Sequence, residues 1–432
     1  MKFLRAISRV VIGVTFLLSG FVKIIDPVGI GLIIEEYMKV AGIDSWHFIA
    51  QTLGVALSGT EMLIGISLLV GIRMKIACRV SLFFISIFTI LTLFLAIFNP
   101  VTDCGCFGEA IKLTNWQTFY KNIVFLFFAT LLYLQKEKFI PIAPAKWEWG
   151  FAITYALLIV SLSLYSYRHL PMIDFMEFKV GTDIKGRLDF ISESDTPVFE
   201  TTLIYSKDGK RYEFSIENLP DSTYLFEDSR TKRVSKGSAH MDFAVSDLNG
   251  NYVTDSLLSV KGALFIATVP FIDQLGRRAI ERVNRLYDTL SVRGVDLIVL
   301  TGSGLSPTDS LSNFNRLSPK IYNTDFKTLL TMNRSNGGVL YLYDATVISK
   351  WSTIDIPFDN IDNILGEDSE LVSAKARIKE QLSAEITAFM LLIIISMMRF
   401  ICRILYIHKP IIKDSDKDER SSVAPDSVIH DI

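Results

Sequence analysis

The 432-residue chain is 50% hydrophobic and 21% charged, with a formal net charge of -2 and a mean hydropathy of +0.36. That is too apolar for an ordinary soluble protein and too charged for a pure membrane bundle, so spans plus at least one water-exposed domain are expected. The charge balance and the lack of a basic stripe with interleaved aromatics speak against a nucleic-acid partner, and four cysteines are too few for a disulfide-stapled scaffold.

Six apolar runs are long enough to cross a bilayer, which takes about 20 residues each. They cover residues 7–25, 51–70, 78–98, 116–134, 150–167 and, more weakly, 384–403. The first follows Lys2 and Arg5 as a signal peptide would. It lacks a small-residue cleavage site and runs into Lys23, Asp26 and Pro27, which predicts a retained span. Residues 29–43, "GIGLIIEEYMKVAGI", are amphipathic and expected to lie on the membrane surface or cap the bundle. Pro100 is expected to help end the third span. Just beyond it the stretch "VTDCGCFGEA" sets Cys104 and Cys106 either side of Gly105.

After the fifth span the pattern changes. "PVFETTLIYSKDGKRYEFSIENLP" alternates apolar and polar residues around Asp208 and Gly209, a hairpin signal, and 170–235 reads as a β-rich connector. Next come a buried strand "ALFIATV", a helix within "QLGRRAIERVNRLYDTLSVRG", a second buried strand "VDLIVLTG" and a hairpin in "GGVLYLYDATVISKWS", turning near Asp344 and Ala345. This order implies a mixed sheet with covering helices. "TGSGLSPTDS" lacks the lysine and spacing of a phosphate loop. The tail from 411 to 432 is polar and expected to be disordered.

Short loops on one side collect Arg73, Lys75, Arg79, Lys136, Lys138 and Lys146 with the N-terminus; the other side carries Asp26, Glu35, Glu36, Asp44, Asp103 and Glu109 against Lys39 and Lys112. The positive-inside rule makes the first side cytoplasmic. Six spans then leave both termini in the cytoplasm and a large domain outside, in the bacterial inner membrane facing the periplasm. Trp46, Trp116, Trp147 and Trp149 sit at span ends as interfacial anchors. The Cys104–Cys106 pair falls outside, where it can oxidise; Cys78 and Cys402 fall near cytoplasmic ends, where thiols stay reduced.

Gly105 permits the tight bend that brings two cysteines into disulfide range, and a ring that small is strained and exchangeable. A static disulfide and two free thiols on a turn are the alternatives. The five histidines are scattered, and no third soft ligand is placed for a metal. Ionisable residues within spans form the second signal, because each is costly in lipid. Lys23 ends the first span, Glu61 lies mid-span in the second, and Lys121 lies about one turn into the fourth, beside Asn122. The two lysines either stabilise a thiolate or a reduced quinone near the Cys pair or snorkel to the interface. Glu61, about 15 Å below the outer surface at 1.5 Å per residue, is expected to need a partner or a proton and to lie out of reach of Cys104.

The first span, with Gly13, Phe16, Ser19, Gly20 and Lys23 before Asp-Pro, resembles the opening of the DoxX/MauE-like membrane family. Glu61 and Gly65 in "GTEMLIGISLLVG", and "CGCFG" followed by "WQTFYKNIVFL", resemble its later spans and the MauE branch. The resemblance covers 1–135 and implies a four-helix membrane domain, with roles in disulfide maturation of periplasmic proteins or in quinone redox. Independently of the resemblance, the residues themselves make Cys104 and Cys106 the candidate catalytic pair, with Ser19, Lys23, Glu61, Lys121 and Asn122 as candidate supporting ones. Residues 236–364 resemble a periplasmic thioredoxin-like domain, but "PFIDQLGRR" stands where the family's Cys-x-x-Cys would be, and Gly337 where its cis-proline would be. With a fifth span at 148–168 and a sixth at 384–404, the whole resembles a Bacteroidetes-type DoxX family protein.

The expected fold class is an α-helical polytopic bundle of about six transmembrane helices, a β-rich extracytoplasmic connector and an α/β thioredoxin-like domain. Two functions fit: thiol-disulfide or quinone-linked redox in the cell envelope through Cys-Gly-Cys, or a non-enzymatic membrane scaffold whose exterior domain binds envelope proteins. Against the first stands the single Cys pair, since a disulfide-generating membrane enzyme usually carries two; a periplasmic thiol protein would supply the other.

Overall fold

The computed structural model describes residues 2–40, 42–43, 47–99, 101, 104–111, 113–139, 144–194, 199–207, 210–215, 225–233, 243–302 and 313–407. The chain divides into two compact units, Met1–Met176 with Arg377–Ile432, and Glu177–Ala376.

In the first unit the helices are α1 (Lys2–Ile25), α2 (Pro27–Val40), α3 (His47–Val70), α4 (Met74–Phe98), α5 (Asn115–Leu134) and α6 (Ala145–Arg168). All but α2 are long and apolar enough to cross a membrane. α1 and α3 pack through glycine. A Cβ on Gly20 would stand 2.5 Å from the Met62 nitrogen, and one on Gly65 2.4 Å from a backbone nitrogen at Leu17. Only glycine allows helices to approach so closely, and small residues mark such contacts in membranes. α2 packs along α3 and buries its first turn, Pro27 to Gly31, in keeping with a capping helix.

Helix ends set the Cys loop between α4 and α5. Asn99 stops α4 in the left-handed conformation (φ 46°), its N–H donating to Leu95 O. Pro100, the expected stop, lies outside the described residues. α5 starts with a capping box: the Gln117 N–H donates to the Thr114 hydroxyl, and the Thr114 N–H to the Gln117 side chain. At the other end of the bundle Arg9 donates to the carbonyls of Leu68 and Leu69 at 2.5 and 3.0 Å, satisfying the last turn of α3.

The second unit starts with α7 (Ile184–Ser194), followed by β1 (Phe199–Lys207), β2 (Lys210–Ser215) and β3 (Leu225–Arg233). These strands form an antiparallel sheet in the order β2-β1-β3, with Lys207 opposite Lys210. The expected turn at 208–209 lies outside the described residues. Within 170–235, read as β-rich, the three strands are preceded by a helix at Ile184–Ser194 that the alternation did not mark. Ile184, with Phe178, is buried in the core that also holds Leu264 and Ile266.

Then come β4 (Val245–Ser246), α8 (Thr254–Leu258), β5 (Ala263–Val269), α9 (Arg277–Ser291), β6 (Asp296–Thr301), β7 (Lys320–Thr324), α10 (Phe326–Met332), β8 (Gly338–Tyr343), β9 (Thr346–Trp351) and α11 (Ile361–Gly366). They build a six-stranded mixed sheet, β4-β7-β6-β5-β8-β9, in which β5, β6 and β7 run parallel and β8 and β9 antiparallel. β5 alternates its faces. Phe265, Ala267 and Val269 join a core with Val283 and Leu286 of α9, while Leu264 and Ile266 join a second core with Leu329 of α10. The β8–β9 turn at Asp344 and Ala345 falls where the sequence put it, with both φ angles positive. β7 and α10 were not legible.

Last, α12 (Ser369–Ile407) is one 39-residue helix. It starts at Ser369, well before the apolar run expected from 384, because charged residues such as Lys375 and Lys379 continue the helix. Its Met398 packs with Phe151, Tyr155 and Ile159 of α6. The tail from 411 lies outside the described residues.

Candidate functional site

α1 presents Ser19 and Lys23 one helical turn apart, on the face that meets α3. Lys23 Nζ lies 2.9 and 2.8 Å from the two carboxylate oxygens of Glu61, and each residue is only 5% exposed. Two charges this deep are held by each other, since an isolated one would pay the full cost of leaving water. Lys23 therefore does not snorkel; burial and a carboxylate partner keep it inside.

Ser19 connects the pair to the Cys loop. Its Oγ is 2.8 Å from Glu61 Oε2 and 2.7 Å from the carbonyl oxygen of Cys106. A hydroxyl has one hydrogen to donate, so it serves one acceptor at a time. The expectation that Glu61 lies out of reach of the Cys pair is overturned. Glu61 lines one cavity with both cysteines, and the Ser19 hydroxyl lies between its carboxylate and the Cys106 carbonyl.

Cys104 is buried with Leu95 and Val101, and Cys106 is partly buried against them. Both are free thiols in this structure, and both line the wall of one cavity. Gly105 has φ +62°, and a Cβ there would stand 2.5 Å from Ile33 Cδ1, so α2 lies directly over the loop. Asn115 Nδ2 donates to Asn99 Oδ1 at 2.9 Å and to Val101 O at 2.8 Å, clamping the loop's first residues to α5.

Two cavities meet at this site. The larger, about 280 Å³, is walled by Cys104, Gly105 and Cys106, by Ile33, Ile34 and Tyr37 of α2, and by aromatic residues of α4; Lys23, Ser58 and Glu61 supply its polar edge. The smaller, about 60 Å³, takes in Ser19, Lys23, Glu61, Cys106, Phe107, Lys121 and Asn122. Lys121 Nζ sits 4.4 Å from the centre of the Phe107 ring, a cation–π contact. Lys121 lines the smaller cavity with Cys106, whereas Lys23 lines both cavities. Asn122 Nδ2 donates to Thr92 Oγ1 at 3.2 Å, tying α5 to α4.

All seven residues singled out from sequence lie in or beside these cavities. Asn115, Ile33 and Phe88 were missed. The Thr-Asn-Trp-Gln start of α5 was a usable signal for Asn115; nothing in the sequence marks which face of α2 covers the loop. Among the described residues no three His, Cys, Asp or Glu side chains are grouped to hold a metal ion.

A six-span bundle with a buried ion pair under a cysteine loop, joined to an α/β unit, is a polytopic membrane protein. Its first 135 residues match the family described as methylamine utilisation protein MauE, so the membrane half is MauE-like. Residues 199–236, the β1–β3 sheet, match a domain of unknown function, DUF8463. No curated protein matches the chain.

Proposed function

We propose that the protein carries out thiol-disulfide exchange in the cell envelope through Cys104 and Cys106. The observation that carries this reading is the position of the pair: in the wall of a membrane-embedded cavity whose polar edge is the Lys23–Glu61 ion pair. In the oxidised form a thiolate of a partner protein attacks one sulfur, the S104–S106 bond breaks, and the second partner thiol displaces the resulting mixed disulfide. Cys104 and Cys106 then hold two hydrogens as thiols, and the partner leaves with a disulfide. The charge bias of the loops supports an inner-membrane protein with both termini in the cytoplasm, the Cys loop and the α/β unit being periplasmic.

The second unit reads as a DoxX-family protein's exterior module of thioredoxin-like fold. Its strand order supports that fold; its chemistry does not follow, because the chain has no cysteine between Cys106 and Cys402. Pro270, Phe271, Ile272 and Asp273 follow β5 where a reactive pair would stand. This favours a binding role for the unit, presenting envelope proteins to the membrane site, and it keeps the scaffold alternative in play should the Cys pair prove static. Trapping free thiols in growing cells with a membrane-permeant alkylating agent, then reading the mass of the 104–106 peptide, tests the exchange reading. Both redox forms are expected, and a single invariant form would support the scaffold.

A further inference from the structure

The loop between α4 and α5 treats its two cysteines differently. Cys104 is only 9% exposed and Gly105 is buried, whereas Cys106 and the residues after it, Phe107 to Ala110, are all partly exposed. The first half of the loop is closed in from several sides. Ile33 of α2 stands over Gly105, the Asn115 amide holds Val101 by its carbonyl, and Leu95 and Val101 pack with Cys104. The accessible half begins at Cys106, which the Ser19 hydroxyl reaches through the backbone carbonyl. A partner sulfur approaching the loop meets Cys106 first.

The cavities divide the pair in the same way. Of the two, Cys104 lines only the larger, whereas Cys106 lines both. In the smaller it shares the wall with Lys23, Glu61 and Lys121, two ammonium groups against one carboxylate. That cavity is about 60 Å³, so the groups lining it face one another across the space of a few waters. Glu61 is matched to Lys23 at 2.8 Å. Among the described residues no carboxylate contacts Lys121, which lies instead over the ring of Phe107, the neighbour of Cys106. A nearby cation favours the thiolate, which is the nucleophile, while a cysteine in apolar surroundings stays protonated and inert.

We infer that the two cysteines have fixed and different roles: Cys106 forms the bond to the partner, and Cys104 closes or opens the internal disulfide behind it. Lys121 is the counter-charge of the Cys106 thiolate. This rests on the exchange reaction proposed above. When a partner dithiol is oxidised, its first thiolate attacks the sulfur of Cys106. The Cys104–Cys106 bond breaks, and Cys104 leaves and takes up the proton which that partner thiol lost. The second partner thiolate then attacks the first partner sulfur, the bond to Cys106 breaks, and Cys106 leaves as the thiolate that Lys121 stabilises. The partner has lost two electrons and gained a disulfide; the protein has gained two electrons, and the second partner proton completes the dithiol. In reverse, the Cys106 thiolate attacks a partner disulfide and Cys104 displaces the partner. A stabilised thiolate leaves faster, so release from Cys106 is the quick step in either mixed disulfide.

The test uses reduced full-length protein in nanodiscs and dipyridyl disulfide, a neutral probe, read by the mass of the peptide spanning both cysteines. Wild-type protein should pass through a pyridyl adduct to the internal disulfide and retain no pyridyl group. Cys104→Ser should keep a pyridyl group on Cys106, formed about tenfold or more faster than the group that Cys106→Ser keeps on Cys104. Adding Lys121→Met to Cys104→Ser should slow that transfer severalfold at neutral pH, and Lys121→Arg, which keeps the charge, should restore it. If a variant fails to assemble, wild-type protein decides the matter. It is given less than one equivalent of iodoacetamide, and the label is located by fragmenting the peptide; it is expected on Cys106. Equal rates in the two serine variants, a faster Cys104, or label on Cys104 overturns the assignment of roles, while internal disulfide formation in the wild type leaves the exchange reaction standing. A rate unmoved by Lys121→Met overturns the counter-charge. A wild-type peptide that keeps a pyridyl group on each sulfur, or reacts at neither, overturns both the roles and the exchange.

Discussion

Lys23 and Glu61 meet inside the bundle with both carboxylate oxygens within 2.9 Å of one ammonium. The contact joins α1 to α3 one helical turn from Ser19, which meets the Cys106 carbonyl. Removing one partner from a buried pair costs about 3–5 kcal/mol, because the other is left charged and alone. Glu61→Gln or Lys23→Met should therefore lower the thermal stability of the detergent-solubilised protein markedly. The double variant, Lys23→Met with Glu61→Leu, should recover most of the loss. Equal stability of single and double variants would show that the pair is not energetically coupled.

Gly20 and Gly65 set how close α1 and α3 come. Gly65→Leu would force side-chain atoms into the backbone near Leu17, and overpacking of this kind costs about 1–3 kcal/mol or more. Lower melting temperature and faster alkylation of Cys106 are expected together, since the same approach holds Ser19 against the Cys106 carbonyl. Gly150→Ala, where a Cβ meets nothing, should change neither.

These contacts divide what the sequence disclosed from what it hid. The spans were legible because a run of about 20 apolar residues is the length a bilayer demands and seldom occurs elsewhere, and Glu61 was marked by the cost of a carboxylate at mid-span. Its partner was not, since Lys23 at a span end fits both an interfacial anchor and a buried ion. The placement of the Cys loop against α1 and α2 depends on the αL turn at Asn99 and the Asn115 clamp, local and tertiary features that periodicity does not register. In the second unit, β5, β6, β8 and β9 announced themselves as apolar runs. β7, "KIYNT", is largely half-buried and carries polar residues, so no pattern separated it from a loop.

Asn115→Ala removes two hydrogen bonds to the start of the Cys loop, each worth about 0.5–1.5 kcal/mol net. Cys104 is buried in the wild type, so its reaction with a water-soluble maleimide should speed up in the variant while the spans stay assembled. An unchanged rate would mean that Leu95 and Val101 hold Cys104 without the clamp.

Glu35 on α2 gives a pH dependence. Burial raises its carboxyl, but hydrogen bonds from His47 at 3.0 Å and from Lys39, with the attraction of both, outweigh this and hold it below its ordinary value. A carboxyl lowered in the folded state contributes stability that is present above its unfolded value and lost as pH falls through the folded one. Hydrogen exchange over α2 should accordingly stay slow at neutral pH and quicken in acid below the usual carboxylate range. Glu35→Gln should flatten that dependence; an identical pH profile in the variant would remove Glu35 as its source.

The central claim is that Cys104 and Cys106 cycle. Cells are acid-quenched, free thiols are blocked, disulfides are reduced, and the newly freed thiols are tagged with a reagent of different mass before the peptide spanning both residues is weighed. The account predicts a mixture of dithiol and disulfide that moves toward dithiol when a membrane-permeant reductant is added and returns after its removal. A pair that stays wholly oxidised or wholly reduced through that cycle would contradict it.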